Sequence, residues 1–153
     1  PMELLGNRIP DGTVMGARGP HNPFTADTAL NKWFYEEYTD RFGSEPIGAS
    51  YQMVQGILAM KAAADVAGTV DADSVSAALT GLNFPSPEGD VKMALSDGHQ
   101  AIIDIDYGEF KWDKESGKGK LINVKSFSAE CVNPSEGEMS VDWIKSGLNS
   151  SGC

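Results

Sequence analysis

Between Ser50 and Ala67 the sequence runs SYQMVQGILAMKAAADVA, and no other segment narrows the choice of fold as far. Tyr51, Val54, Ile57, Leu58 and the stretch from Met60 to Ala64 make a helix apolar over more than half its circumference. Such a helix packs between layers instead of lying on a surface. Gly68 ends it, as the residue that enters a left-handed backbone without a Cβ penalty.

The flanks extend this helical reading. Thr25 or Asp27 can cap a preceding helix in which Leu30, Trp33, Phe34, Tyr38 and Phe42 recur at steps of three and four. That spacing predicts one apolar stripe against a core, with Gly43 as the stop. Lys32, Glu36, Asp40 and Arg41 fall on the opposite, solvated face. After the long helix, Asp71 caps a short one in which Val75, Ala78 and Leu79 face inward and Gly81 terminates. Residues 1–24 are rich in Gly and Pro and read as loop around one short strand, Thr13 to Ala17.

Beyond Pro85 the pattern turns to strands. Asp90 to Ala94 alternates, and Ser96-Asp97-Gly98 reads as a tight turn. Gln100 to Trp112 is the longest strand candidate, with Ile103, Ile105 and Tyr107 on one face. The apolar face then switches to Phe110 and Trp112, which predicts a bulge or bend at Gly108. Lys114 to Gly119 reads as a hairpin loop, Lys120 to Phe127 as a returning strand. The tail is polar, with one Trp143-Ile144 pair able to dock.

Length and charge bound the function. At 153 residues the chain matches the size of one domain, and 41% hydrophobic with 22% charged residues is a globular composition. No apolar run reaches the roughly 18 residues of a membrane span. A net charge of −10 repels phosphate backbones and argues against nucleic acid as a partner. Pro1 opens the chain without an initiator or a signal peptide, which fits a processed mature protein or a piece of a longer one.

Catalytic and metal motifs are weak. Ser50 lies in Gly-Ala-Ser-Tyr, which is not a nucleophile elbow, and neither His21 nor His99 has an Asp at a recognisable spacing. Asp104 and Asp106 alternate with Ile103 and Ile105 as carboxylates on the wet face of a strand, without the Gly turn and terminal Glu of a calcium loop. Gly16-Ala17-Arg18-Gly19 lacks the spacing and the Lys of a phosphate cradle. Two cysteines far from any CxxC spacing predict no zinc site. Cys131 and Cys153 are either two inert thiols or a disulfide closing a loop of about 22 residues, worth roughly 3 kcal/mol in the loop-entropy picture. Two places remain as ligand contacts. The loop Pro46 to Gln52 feeds the N-terminus of the long helix, whose free N–H groups can receive a carboxylate or carbonyl oxygen, and Ser50, Tyr51 and Gln52 stand beside them. The plain alternative is an ordinary helix cap with a buried Tyr. His99, just before the strand candidate, is either a turn or solvent-facing residue or a contact.

The order of these elements resembles a known family. Phe34-x3-Tyr38-x2-Arg41-Phe42-Gly43, then Pro46, then Tyr51 opening an Ala-rich helix, is similar to the C-terminal part of periplasmic solute-binding proteins of ABC transporters. Ala63-Ala64-Asp65-Val66-Ala67-Gly68-Thr69, Asp71-Ala72-Asp73-Ser74-Val75, Ala78-Leu79-Thr80-Gly81, Phe84-x4-Gly89-Asp90-Val91-x-Met93 and Asp97-Gly98-His99-Gln100 continue the string, which spans roughly residues 12–130. It resembles the branched-chain amino acid, amide and urea binding group.

The resemblance implies an α/β fold of the type I kind: two lobes of Rossmann-like parallel sheets wrapped in helices, of which this chain is a C-terminal portion. It implies residues 1–24 as loop and hinge-side strand, residues 12–113 as part of one lobe, and residues 114–153 as the return to the other lobe and the tail. Function would then be binding of a small polar solute, of amino acid, amide or urea type, in the cleft between lobes, for delivery to a membrane permease from a periplasmic location. Ala49, Ser50, Tyr51, Gln52 and His99 would be the ligand contacts, without catalysis, cofactor or metal. Some amino acid binders carry an aromatic residue shortly before the position of Tyr51, where this chain has Pro46 and Ile47. The missing N-terminal half, or a second copy of the chain, is expected to cover a wide apolar face on the long helix. A ligand-sensing regulatory or receptor domain of the same fold, and a small α/β enzyme complete at this length, are the alternatives.

Overall fold

A computed structural model describes residues 5–16, 27–95, 100–135 and 137–149. After a short 3-10 turn at Gly6–Arg8 come β1 (Val14–Gly16), α1 (Ala29–Phe42), α2 (Gly48–Ala67) and α3 (Ala72–Leu79). The strands β2 (Asn83–Ser86), β3 (Gly89–Leu95), β4 (Gln100–Ile102), β5 (Ile105–Asp113) and β6 (Lys118–Phe127) follow, then α4 (Ser140–Lys145). Gly43 and Gly68 end α1 and α2 in the left-handed conformation, at φ 63° and 65°, as expected. Asp71 caps α3 by accepting from the Ser74 N–H at 3.0 Å. The cap of α1 is Thr28, whose hydroxyl accepts from the Asn31 N–H at 3.1 Å. Asp27, an expected cap, is instead paired with Lys32 at 2.7 Å, and Thr25 lies outside the described residues.

Three-stranded sheets form in the orders β1-β5-β6 and β2-β3-β4. The expected single strand from Gln100 to Trp112 is two strands, one in each sheet, parted at Ile103 and Asp104. The Asp104 carboxylate explains the break. It accepts from the Ala129 N–H at 2.9 Å, so this stretch binds the segment after β6 in place of a ladder partner. Asp106, read as a carboxylate on the wet face, accepts from the Ser126 hydroxyl of the facing strand. All described pairings are antiparallel. Parallel partners need a long crossover. The one helical crossover here runs from β1 through α1–α3 to β2, which belongs to the other sheet.

The register shift expected near Gly108 is present. Tyr107 pairs with Lys125 and Glu109 with Ile122, so β6 carries one more residue than β5 between these pairs. Asn123 takes up the excess at φ 51°, the left-handed region that Asn tolerates better than most residues.

The sheets have separate cores. On one side Ile9, Phe110 and Leu121 pack with Met15, Trp112 and Val124. On the other, Ala59 on α2 meets Phe84, Val91 and Met93 of β2 and β3, with Leu58, Ala62, Leu79 and Leu82 around them. Each large side chain buried there contributes about 1.5–3 kcal/mol. A small cluster of Ile102, Ala129 and Ala94 sits at the junction. One expectation about burial needs correction: on α1 only Phe34 is buried, while Trp33 and Phe42 of the same stripe are exposed. On α2 the buried residues are Tyr51, Ala59 and Ala63, and Met53, Ile57 and Met60 are exposed, so among the described residues the helix is covered on one side and carries the open apolar face expected of it.

Cys131 is disulfide-bonded, and Cys153 lies outside the described residues. Iodoacetamide is expected to alkylate the two cysteines only after reduction; labelling of the unreduced chain would exclude their pairing. Gly119 lies against the Phe110 ring so closely that a Cβ would collide with it. Gly119→Ala is therefore expected to lower the urea midpoint by the equivalent of about 1–3 kcal/mol. Gly48→Ala, in the first turn of α2 with open space around it, is expected to be neutral or slightly stabilising in the same measurement.

Candidate functional site

The approach to α2 is set by Pro46, which is buried, and by Ile47, an extended cap residue at φ −98° and ψ 168°. No side chain caps the helix. The Ser50 and Tyr51 N–H groups return to the Ile47 carbonyl at 2.8 and 3.2 Å. The earlier N–H groups of the turn, those of Gly48 and Ala49, project from a helix end whose dipole favours an anion or a carbonyl oxygen.

Helical phase separates the four expected contacts on this turn. Ala49 and Gln52 are exposed. Ser50 is half-buried and its hydroxyl donates to Tyr38 Oη at 3.2 Å. Tyr51 is 0% exposed, so it offers no aromatic plate to a ligand from solvent. It lies one helical step of about 100° from Gln52 and two from Ala49 and so turns inward, where its ring meets Phe34 edge-on at 4.9 Å and its hydroxyl donates to Asn31 Oδ1 at 3.3 Å. His99, the fifth expected contact, lies outside the described residues.

Beneath this turn lies a polar layer that sequence patterning does not reach. Gln55 Nε2 donates to Glu88 Oε2 at 3.0 Å and to Ser86 Oγ at 3.3 Å. The Ser86 hydroxyl, 2% exposed, donates to the Gly89 carbonyl at 2.8 Å and accepts from the Glu88 N–H at 3.2 Å. Tyr35 donates to Glu45 Oε1 at 2.9 Å, and that bond to a carboxylate raises the Tyr35 pKa above its ordinary value. Burial first, then the charges of Glu88 and Glu45 nearby, pushes the Tyr51 hydroxyl up to about 12. In this layer the Glu45 and Glu88 carboxylates accept from Tyr35 and Gln55, while the dipole of the α2 end favours an anion or an oxygen. Among the described residues no group of three or more His, Cys, Asp and Glu could hold a metal.

A concavity lies on the β1-β5-β6 sheet, an open groove of about 410 Å³. Val14, Tyr107, Phe127 and Val132 give it apolar walls, and Asn123 and Lys125 stand at its polar side. The Tyr107 and Phe127 rings meet edge-to-face at 6.2 Å. The switch of apolar face around Gly108 was the one sequence signal that pointed toward this region.

A sequence profile described as periplasmic binding protein matches residues 6–117. The chain belongs to that family. Solved structures carry the same type I fold. An ABC-type branched-chain amino acid transporter from Rhodopseudomonas palustris CGA009 is 22% identical, with a TM-score of 0.69 over 84% of this chain and 33% of that one. A solute binding protein of an ABC transporter from Rhodopseudomonas palustris BisB5, in complex with 3,4-dihydroxybenzoic acid, is 25% identical, with a TM-score of 0.63 over 82% of this chain and 34% of that one. A leucine binding protein from Thermotoga maritima MSB8 is 19% identical, with a TM-score of 0.55 over 74% and 31%. The chain thus spans about a third of the length of these structures. Among curated proteins none matches.

The raised Tyr51 pKa fixes the sign of an alkaline effect. The folded state holds the proton more tightly than the unfolded chain, whose ordinary value is 10.0, so stability is full below pH 10 and falls as pH rises to about 12. Tyr35 acts in the same direction. In chemical denaturation at pH 9 and pH 11.5, Tyr51→Phe is expected to lose less stability between the two than the parent chain; an equal loss would show that Tyr51 does not carry the effect.

Proposed function

We propose that this chain is the C-terminal portion of an extracytoplasmic solute-binding component of an ABC uptake system, located in the periplasm and delivering its solute to a membrane permease. The family match over residues 6–117 carries this reading. The solute is small and polar, of amino acid, amide or urea type, and it is bound without catalysis or cofactor. Its oxygen meets the uncapped N-terminus of α2 near Ala49 and Gln52, and its N–H groups face the acceptor-rich side that Tyr35, Glu45 and Glu88 give to this region. Ser50 and Tyr51 act by fixing that turn against α1. The chain passes between lobes at Ile103 and Asp104 and again at Ser128, so that β2-β3-β4 with the helices belongs to one lobe and β1-β5-β6 to the hinge side and the other.

The test is a thermal-shift screen of the two-lobed protein against leucine, acetamide, urea and 4-hydroxybenzoate, the last because relatives are solved with hydroxybenzoates. A true ligand at 100 times its Kd adds about 2.7 kcal/mol, a shift of several degrees. Gln52→Ala is expected to reduce the shift and Ile144→Ala, on the exposed face of α4, to leave it intact. Absence of a shift with all four, or consumption of one of them, would overturn the reading.

A further inference from the structure

The groove on the β1-β5-β6 sheet takes no part in the proposed function and belongs to the sheet that does not share the core of α2. Strand register says which residues face it. Val14 pairs with Glu109 and Tyr107 with Lys125, so these four and Phe127 share the face opposite the buried Phe110 and Leu121. Further along this face the charges are matched: Lys111 meets Asp11 at 2.6 Å and Lys120 meets Asp113 at 3.5 Å. Over the groove they are not. Among the described residues neither Glu109 nor Lys125 has an ion-pair partner, although they stand on neighbouring strands. The extra residue that β6 carries at Asn123 parts them.

The lining is thereby sorted by strand. β5 brings a ring and a carboxylate, Tyr107 and Glu109, while β6 brings an amide and an ammonium, Asn123 and Lys125. Tyr107 and Phe127 meet edge-to-face at 6.2 Å and are 42% and 37% exposed, an arrangement that leaves π faces open to a cation. The groove volume of about 410 Å³ falls in the range of about 300–1,000 Å³ typical of small-molecule sites.

We propose that this groove binds a betaine, a small zwitterion whose ammonium carries alkyl groups in place of N–H. Its carboxylate meets Lys125 and Asn123, and its ammonium lies against the Tyr107 and Phe127 rings on the side of Glu109. The charges select a zwitterion. An anion alone would face Glu109 in a chain of net charge −10, and a cation alone would face Lys125. Neighbouring strands lie about 4.8 Å apart, so a molecule with few bonds between its charges reaches both sides. The lining selects the alkylated ammonium. A primary ammonium has three N–H groups to satisfy, and Glu109 is the single carboxylate among the described lining residues, whereas an alkylated one asks only for rings. The proposal is independent of the solute site at α2.

The test is a titration of the isotope-labelled 153-residue chain with glycine betaine, followed by NMR at Val14, Tyr107, Asn123 and Phe127. Choline supplies the cation alone, acetate the anion alone, and glycine the same two charges with N–H. Saturable shifts at these residues are expected with betaine, at an affinity at least about threefold above that of each of the others. Lys125→Gln is expected to weaken betaine about threefold while choline binds no less tightly, and Glu109→Gln to weaken both. These two residues lie on the open face of the sheet, and the resonances of the Phe110–Leu121 side report that each variant folds. Silence of the groove residues, equal affinity for glycine, or betaine binding unchanged in both variants would overturn the proposal. Loss of the response in Gln52→Ala would place the binding at α2 and overturn it as well. In the two-lobed protein the same residues are expected to respond; a response confined to the 153-residue chain would show the groove to be covered there and sink the proposal.

Discussion

A single junction ties the two halves of the described structure. Asp104 leaves the strand ladder to accept the Ala129 N–H, and Asn133 donates to the Ala129 carbonyl at 2.8 Å, so that both polar groups of one peptide segment are held by side chains. Ile102 and Ala129 bury against each other and Ala94 beside them. Satisfying these backbone groups locally frees the chain from continuing one sheet into the other, because a backbone N–H or C=O taken out of water must find a partner somewhere. β4 therefore ends one sheet, β5 begins the next, and each sheet closes its own core.

The helices are positioned by the same economy of partners. α1 and α2 meet through Phe34, Tyr38, Ser50 and Tyr51, with two hydroxyl bonds and edge-to-face rings at the contact. This contact fixes the phase of α2. Once Tyr51 points inward, the uncapped first turn, Ala49 and Gln52 point away, and so does the stripe of Met53, Ile57 and Met60. The exposure of the turn proposed for solute is a consequence of one buried tyrosine.

Much of this was legible in the residues. Gly43, Gly68 and Asp71 announce helix ends because positive φ and side-chain caps are local chemistry, and the string from Phe34 to Gln100 carried the family resemblance. The cap of α1 was missed because Thr25, Asp27 and Thr28 compete within four positions, and an ion pair to Lys32 decides the matter for Asp27. The break at Asp104 was hidden because Ile103-Asp104-Ile105-Asp106 alternates as any strand does, and its cause is a partner 25 positions away. The polar layer under α2 was out of reach for the same reason: Gln55 finds Ser86 and Glu88 at separations of 31 and 33 residues.

The separate cores carry a mechanical consequence. Ile9, Phe110 and Leu121 share no member with Ala59, Phe84, Val91 and Met93, so damage to one set leaves the packing of the other in place. Cooperative opening can then stop at the Asp104–Ala129 junction, and each half is free to turn about it without either giving up its interior. The link between the two cores is thin: one carboxylate-to-amide bond from Asp104 to Ala129 and the small contact of Ile102, Ala129 and Ala94.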